Sequence, residues 1–308
     1  MNYHKSIIAL TLFSLPSIAI AEPSINVPKI SVEESKELPF GDTSLDLDLI
    51  ATKKNLNIDT GDILNNFLGT NSIKNGGFSS LPLLQGLSDD RIKVKIDGMD
   101  IISSCANHMN PPLSYTSPAN INDIDVLAGL SSVSQGGDNI GGVINIKSNV
   151  IKFSGNTSMK SSGKLQAFFK SNNDAAGLNL SLSQFNQDTA LKYFGSFVEA
   201  NNSFAGSSFK NAGLAASDRG YLAGDEIGST RFKNQNHKFT IAKKDQNQFY
   251  EATLSYQDSP YQSFPNQRMD SVGNTNYQIN IRHKVDYVWG KVNSQVYYDD
   301  TNHKRPVT

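Results

Sequence analysis

The chain has 308 residues, with 28 Lys and Arg against 29 Asp and Glu and a net charge of -1. That balance excludes the basic footprint on which nucleic-acid binding depends, and a single cysteine excludes an intramolecular disulfide framework. The length allows about two domains, and 23 Gly beside one Trp suit a turn-rich β protein better than a helical one.

The N-terminus has the pattern of a bacterial secretory signal peptide over residues 1–21. Lys5 supplies a positive start, Ile7 to Ile20 is largely apolar, and Ala19-Ile20-Ala21 places small residues ahead of a cleavage point at Glu22. The apolar run is shorter than the roughly 20 residues of a spanning helix. No other segment is long and apolar enough to span as a helix, so membrane residence requires a β-barrel.

Residues 22–58 carry Pro23, Pro28 and Pro39 and no sustained periodicity, which predicts an extended, exposed leader. Within it, Ile25 and Val27, then Ile30 and Val32, alternate with polar residues, the form of a strand that adds to a partner's sheet edge. An ordinary flexible leader fits the same residues.

Residues 59–149 differ in composition and predict a compact α/β unit. Thr60 to Gly69 has a capping residue, apolar Ile63, Leu64, Phe67 and Leu68 at helical spacing and a terminal Gly, which predicts a helix of about two turns. Ile92-Lys93-Val94-Lys95-Ile96 alternates strictly and stops at Asp97-Gly98, as a half-buried strand before a turn does. Asn120 to Leu127 reads as a short helix or turn entering a strand, and Gly141 to Lys147 as another strand. The glycines at 136, 137, 141 and 142 suggest a phosphate loop only superficially. The run lacks the Lys-Ser/Thr ending and leads into a strand rather than a helix.

Residues 150–308 alternate at regular spacing. Leu178, Leu180 and Leu182 interleave with polar residues, as do Tyr250 to Tyr256 and Tyr277 to Ile281; with similar segments at 164–170, 191–199, 237–243 and 291–298 they give about seven or eight strands. Apolar on one face and polar on the other, with Tyr193, Phe194, Phe197, Phe249, Tyr250, Tyr256, Tyr287, Trp289, Tyr297 and Tyr298 near strand ends, they suit a membrane barrel with an aromatic girdle. A secreted β-sandwich is the competing reading.

The order of these pieces carries a resemblance. Leu84-Gln85-Gly86-Leu87, Arg91 leading the alternating strand into Asp97-Gly98, Ile124-Asp125-Val126-Leu127-Ala128-Gly129, Ser131-Ser132-Val133 and Gly136-Gly137-Asp138-Asn139-Ile140-Gly141-Gly142-Val143-Ile144-Asn145-Ile146 together resemble the plug domain of TonB-dependent outer-membrane receptors. The resemblance implies an α+β plug followed by antiparallel transmembrane β-barrel strands in the bacterial outer membrane, in contact with its lipid. It also implies energised uptake of a scarce ligand, and a periplasmic partner, TonB with its inner-membrane complex, meeting the leader at Ile25, Val27, Ile30 and Val32. Such receptors close about 22 strands, and the roughly 158 residues after Val150 supply about a third of them. The chain is therefore expected to be an N-terminal fragment or truncated reading frame, ending inside a strand-like region at Val307-Thr308.

One stretch carries candidate chemistry. Cys105, His108 and Met109 lie within five residues on a loop stiffened by Pro111-Pro112. Thiolate and thioether are soft donors that select Cu(I), and imidazole suits Cu, Zn or Ni. The bland alternative is a small buried cysteine, a packing methionine and a hydrogen-bonding histidine. Cys105 to Tyr115 is similar to the plug loop of the TonB-dependent copper receptor branch, which implies that Cys105 and Met109 bind copper with a His-x-Met from an early barrel strand. His303 matches that histidine, whereas Arg305 stands where the methionine is expected, and a guanidinium cannot ligate. Met269 is a weaker alternative sulfur. His237 and His283 are expected to face a lumen or a hydrogen-bond partner, and His4 belongs to the signal peptide.

No His-Glu-x-x-His, Gly-x-Ser-x-Gly or Cys-x-x-Cys occurs, so neither catalysis nor a required cofactor is expected. The transported ligand is read as copper or a copper-bearing compound. Zinc, a siderophore or cobalamin are alternatives in the same architecture, and a secreted β-rich binding protein is the alternative of another class.

Overall fold

The computed structural model describes residues 42–44, 52–54 and 57–305, except 130, 138, 216–219 and 268. The signal peptide, the partner-contact positions Ile25, Val27, Ile30 and Val32, and the terminal Val307-Thr308 lie outside the described residues.

The plug is a five-stranded sheet with a small helical layer. Its strands are β1 (Asp42–Ser44), β4 (Ile92–Ile96), β5 (Met99–Asp100), β6 (Ile121–Ala128) and β7 (Gly142–Ser148), in the order β1-β6-β7-β4-β5. Beside it lie a hairpin of β2 (Thr70–Lys74) and β3 (Ser80–Leu84) and a single helical turn, α1 (Gly61–Leu64). The alternation of β4 is visible in its burial: Ile92, Val94 and Ile96 face inward, while Lys93 and Lys95 are half-buried. Those inward residues join Ile63, Leu64, Ile124, Val126, Ile144 and Ile146 in one core. Fully burying each such side chain contributes about 1.5–3 kcal/mol.

The helix is shorter than its periodicity predicts. Beyond Leu64 the hydrogen bonds tighten to i→i-3, from the amides of Asn66 to Ile63 and Phe67 to Leu64. Thr70 then turns its hydroxyl onto the carbonyls of Leu64 and Phe67 and ends the element. Asp97 and Gly98, with φ of 52° and 81°, form the two-residue turn between β4 and β5, the left-handed pair that an Asp-Gly sequence accommodates. Asn120 closes a 3-10 turn and β6 follows directly. β1 pairs with β6, so the plug sheet takes a strand from within the leader span.

The second part is a seven-stranded antiparallel wall running in chain order: β8 (Lys160–Lys170), β9 (Ala175–Phe185), β10 (Thr189–Ala200), β15 (Phe232–Asp245), β16 (Gln248–Gln262), β17 (Gly273–Tyr287) and β18 (Gly290–Lys304). Four two-residue strands decorate the β10–β15 connection: β11 (Ser203–Phe204), β12 (Gly213–Leu214), β13 (Tyr221–Leu222) and β14 (Glu226–Ile227). No described helix is long and apolar enough to cross a membrane. Turns at 186–188, 246–247 and 288–289 close one end, and the longer connections 201–231 and 263–272 lie at the other. Short turns mark the periplasmic end of such a wall and long loops the extracellular end.

Register divides each strand into two faces. Leu178, Leu182, Phe239, Ile241, Leu254, Ile279, Ile281 and Val296 stand exposed on the outer, lipid-side face. The opposite face is polar and covered by the plug, with Asn234, Thr240, Thr253, Gln257, Asn274, Asn276, Gln278 and Asn280 buried. Tyr287 and Trp289 stack at 5.1 Å beside a short turn, where an interfacial girdle belongs. Phe194 and Tyr297 do not join that girdle. Their parity turns them inward, where Phe194 is 4% exposed and the Tyr297 hydroxyl accepts the Asp100 amide at 3.3 Å.

Plug and wall meet through directed polar contacts. Asn280 and Gln295 both donate to the Asp97 carbonyl, at 3.1 and 3.0 Å. The Gln257 amide donates to the Ser114 carbonyl at 2.6 Å. Lys238 forms an ion pair with the Asp97 carboxylate and donates to the Ser148 hydroxyl at 2.8 Å. Burial alone would raise the Asp97 carboxyl, but Lys238 and the hydrogen bonds from Ser148 outweigh it and hold it at about 2.

Candidate metal site

The loop from Ile101 to Tyr115 leaves β5 and reaches the plug apex. The His108 amide donates to the Cys105 carbonyl at 2.8 Å, and His108 takes a left-handed φ of 47°. Ser103 ties the two sides of this curl, its hydroxyl reaching the carbonyls of Cys105 and Asn110, each at 3.1 Å. Pro112–Tyr115 then forms a 3-10 turn that buries Leu113 in the plug core. The curl brings Cys105 and Met109, four residues apart, into one buried cluster, 2% and 0% exposed.

The wall completes that cluster. Phe264, 1% exposed, packs on the two sulfur residues from the β16–β17 loop, and Met269 of the same loop packs against them from outside. His303 lies on the inward face of β18. Its Nδ1 is 2.9 Å from the Asn110 side-chain nitrogen and 3.3 Å from Asn274 Oδ1, so the imidazole touches the residue that follows Met109. His303 Nε2 and Asn110 Oδ1 are both buried without a hydrogen-bond partner among the described residues.

The 3.3 Å contact with Asn274 Oδ1 calls for a proton on His303 Nδ1. Exchanging the nitrogen and oxygen of the Asn110 amide lets its oxygen accept from Nδ1–H, and the donor direction of such an amide is an assignment rather than an observation. His303 is then the Nδ1–H tautomer, with a bare Nε2 lone pair inside a buried space. A ligating imidazole is oriented in this way, one nitrogen held by an oxygen and the other free for a metal.

The remaining candidates are placed as follows. His108 turns away from the cluster, with Nε2 3.7 Å from Asp89 Oδ1 on a cavity of about 470 Å³ that Lys93 and Asp100 also line. Arg305 Nη1 lies 3.8 Å from the Met269 sulfur. His237 accepts or donates to the Tyr193 hydroxyl at 2.8 Å, and His283 pairs with Gln248 at 3.2 Å; both lie on the lipid-side face. Among the described residues no group of three or more His, Cys, Asp and Glu is gathered that could hold a metal, so this cluster owes its character to sulfur. Sequence reading did not single out Asn110, Asn274 or Phe264. Asn110 follows Met109 directly, but no local pattern signals contacts with residues more than 150 positions away.

Comparison with known proteins agrees with this architecture. Residues 35–143 match the family model described as TonB-dependent Receptor Plug Domain. No curated protein matches the sequence. Among solved structures, the chain is similar to the copper transporter OprC, with a TM-score of 0.70 and 22% identity over 85% of this chain and 38% of that one. It is also similar to the FrpB iron transporter from Neisseria meningitidis (F3-3 variant), at 0.69 and 13% over 86% and 41%. The siderophore receptor PirA from Acinetobacter baumannii gives 0.62 and 15% over 86% and 40%. At these identities the likenesses establish the fold, and the chain spans about two fifths of the length of each. Residues 35–143 are thus a TonB-dependent receptor plug domain by their family model, and the antiparallel wall that follows gives the chain the fold of the receptors it resembles.

Proposed function

We propose that this receptor takes up copper as Cu(I), bound at the plug apex by Cys105, Met109 and His303. The observation that supports this most is the buried pairing of thiol and thioether beside an imidazole whose Nε2 has no hydrogen-bond partner among the described residues. A thiolate, a thioether and a neutral imidazole form a soft, low-charge set that favours Cu(I) over harder ions. Burial excludes competing water, and the wall contributes His303, so ligand and plug engage the barrel together. Release then requires energy, supplied by TonB pairing with the leader near Ile25 to Val32 as an added strand. This role is transport and involves no bond chemistry on the cargo.

Arg305 favours a second reading, in which the metal arrives inside an anionic complex that a guanidinium attracts. Titration of the intact receptor with Cu(I) and Zn(II), each offered as the simple ion, and of its Cys105→Ser variant, separates the two. Preferential Cu(I) binding that Cys105→Ser abolishes supports the proposal. Equal affinity for both ions, or binding indifferent to Cys105, overturns it.

A further inference from the structure

We infer that Met269 is a third sulfur ligand of the same site, so that the transported metal itself fastens the β16–β17 loop to the plug apex. The inference rests on the copper reading above and adds a ligand from a different segment. Met269 lies 164 positions from Cys105 in sequence yet packs against the Cys105, Met109 and Phe264 cluster.

Three features set this methionine apart from a packing residue. First, its position is imposed by a loop that is rigid at its base. Gln262 and Ser271 exchange backbone bonds at 3.0 and 2.8 Å, and the Phe264 amide donates to Asp270 Oδ1 at 3.0 Å. Asn266 at the tip donates to Asn75 Oδ1 at 3.1 Å, and Asn75 in turn donates to the His108 carbonyl at 3.3 Å. The loop is thus already bonded to the plug, and little ordering remains to be done when a ligand binds.

Second, the sulfur is directed at the strand that carries the histidine. Arg305 follows the last residue of β18, two positions after the inward-facing His303, and its Nη1 contacts the Met269 sulfur at 3.8 Å. The thioether sulfur thus has a polar neighbour as well as its packing contacts with the cluster. Third, the Arg305 guanidinium beside that sulfur cannot itself ligate. Met269 supplies a thioether to that vicinity from another loop.

The test measures Cu(I) affinity of the intact receptor by competition with a chromophoric Cu(I) chelator, together with the number of sulfur neighbours from copper X-ray absorption. Met269→Leu keeps the side-chain volume. It is expected to weaken Cu(I) binding by about tenfold or more, at least the effect of losing an outer-shell partner, and to remove one sulfur neighbour while the Tm is unchanged. Arg305→Ala is expected to tighten binding, because a repelling cation is removed. Unchanged affinity and sulfur count in Met269→Leu, with Cys105→Ser still abolishing binding, would overturn this inference and leave the copper reading standing. A wild-type protein that binds no Cu(I) overturns both.

Discussion

Replacing Asp97 by Asn removes the charge that joins the plug to the wall while keeping the side chain's shape. Asp97 is 8% exposed and sits against Lys238, itself mostly covered. Lowering its carboxyl from the ordinary 3.8 to about 2 corresponds to about 2 kcal/mol favouring the folded, ionised state, at about 1.4 kcal/mol per tenfold. The loss in Asp97→Asn is at least of that order, because the Lys238 ammonium is left covered with only Ser148 for company. The chain carries its own reporter, since Cys105 is the sole cysteine and is buried. In urea, where the thiol reacts only when the plug opens, Asp97→Asn is expected to raise the labelling rate about 30-fold, the population equivalent of about 2 kcal/mol. Combining it with Lys238→Met, which removes the stranded charge, is expected to recover part of that loss. In the wild type the contribution is complete at neutral pH and above about pH 4, and it falls away as pH drops through about 2, the sign for a carboxylate with a depressed folded value. A labelling rate in Asp97→Asn equal to wild type would show that the ion pair does not hold the plug.

Other substitutions probe different layers. Gly142 has φ +121°, and a Cβ there collides with the Leu127 carbonyl; Gly142→Ala is expected to cost the plug sheet about 1–3 kcal/mol, read as a lower urea midpoint. Ile144 is fully buried, and Ile144→Ala is expected to cost about 2–5 kcal/mol in the same measurement. Phe264 covers Cys105, so Phe264→Ala is expected to speed thiol labelling in native buffer by about tenfold, through local opening at a plug whose urea midpoint changes little. His303→Gln keeps a hydrogen-bonding partner for Asn110 but lacks Nε2, and weaker Cu(I) binding with an unchanged melting temperature is the expected outcome.

Much of the architecture was legible because it is written in local pattern. The alternation in β4 and the wall strands follows from a period of two, and Asp97-Gly98 announced the turn that the left-handed pair of φ values confirms. The apolar spacing after residue 60 predicts a longer helix than forms, because spacing does not reveal where tertiary contacts divert the chain; Thr60 gives its hydroxyl to the Thr116 carbonyl instead of capping the helix. Aromatic character, visible in sequence, assigns Tyr297 and Phe194 to the girdle, whereas the face each occupies depends on strand register. At the apex, the spacing of Cys105 and Met109 was visible, but their meeting depends on the left-handed turn at His108, and the same turn carries His108 away toward Asp89. The approach of Met269, Asn274 and His303 to the apex comes from the packing of the wall on the plug over long sequence separations, which no short motif encodes. The Asp97–Lys238 pair is of the same kind, joining residues 141 apart.

The most direct test of copper uptake is copper accumulation in copper-limited cells, comparing the receptor with its Cys105→Ser variant at equal amounts in the outer membrane. Accumulation in the variant that falls to the level of cells lacking the receptor is the result expected. Accumulation equal to wild type would contradict it and return the Cys105–Met109 pair to the role of ordinary packing.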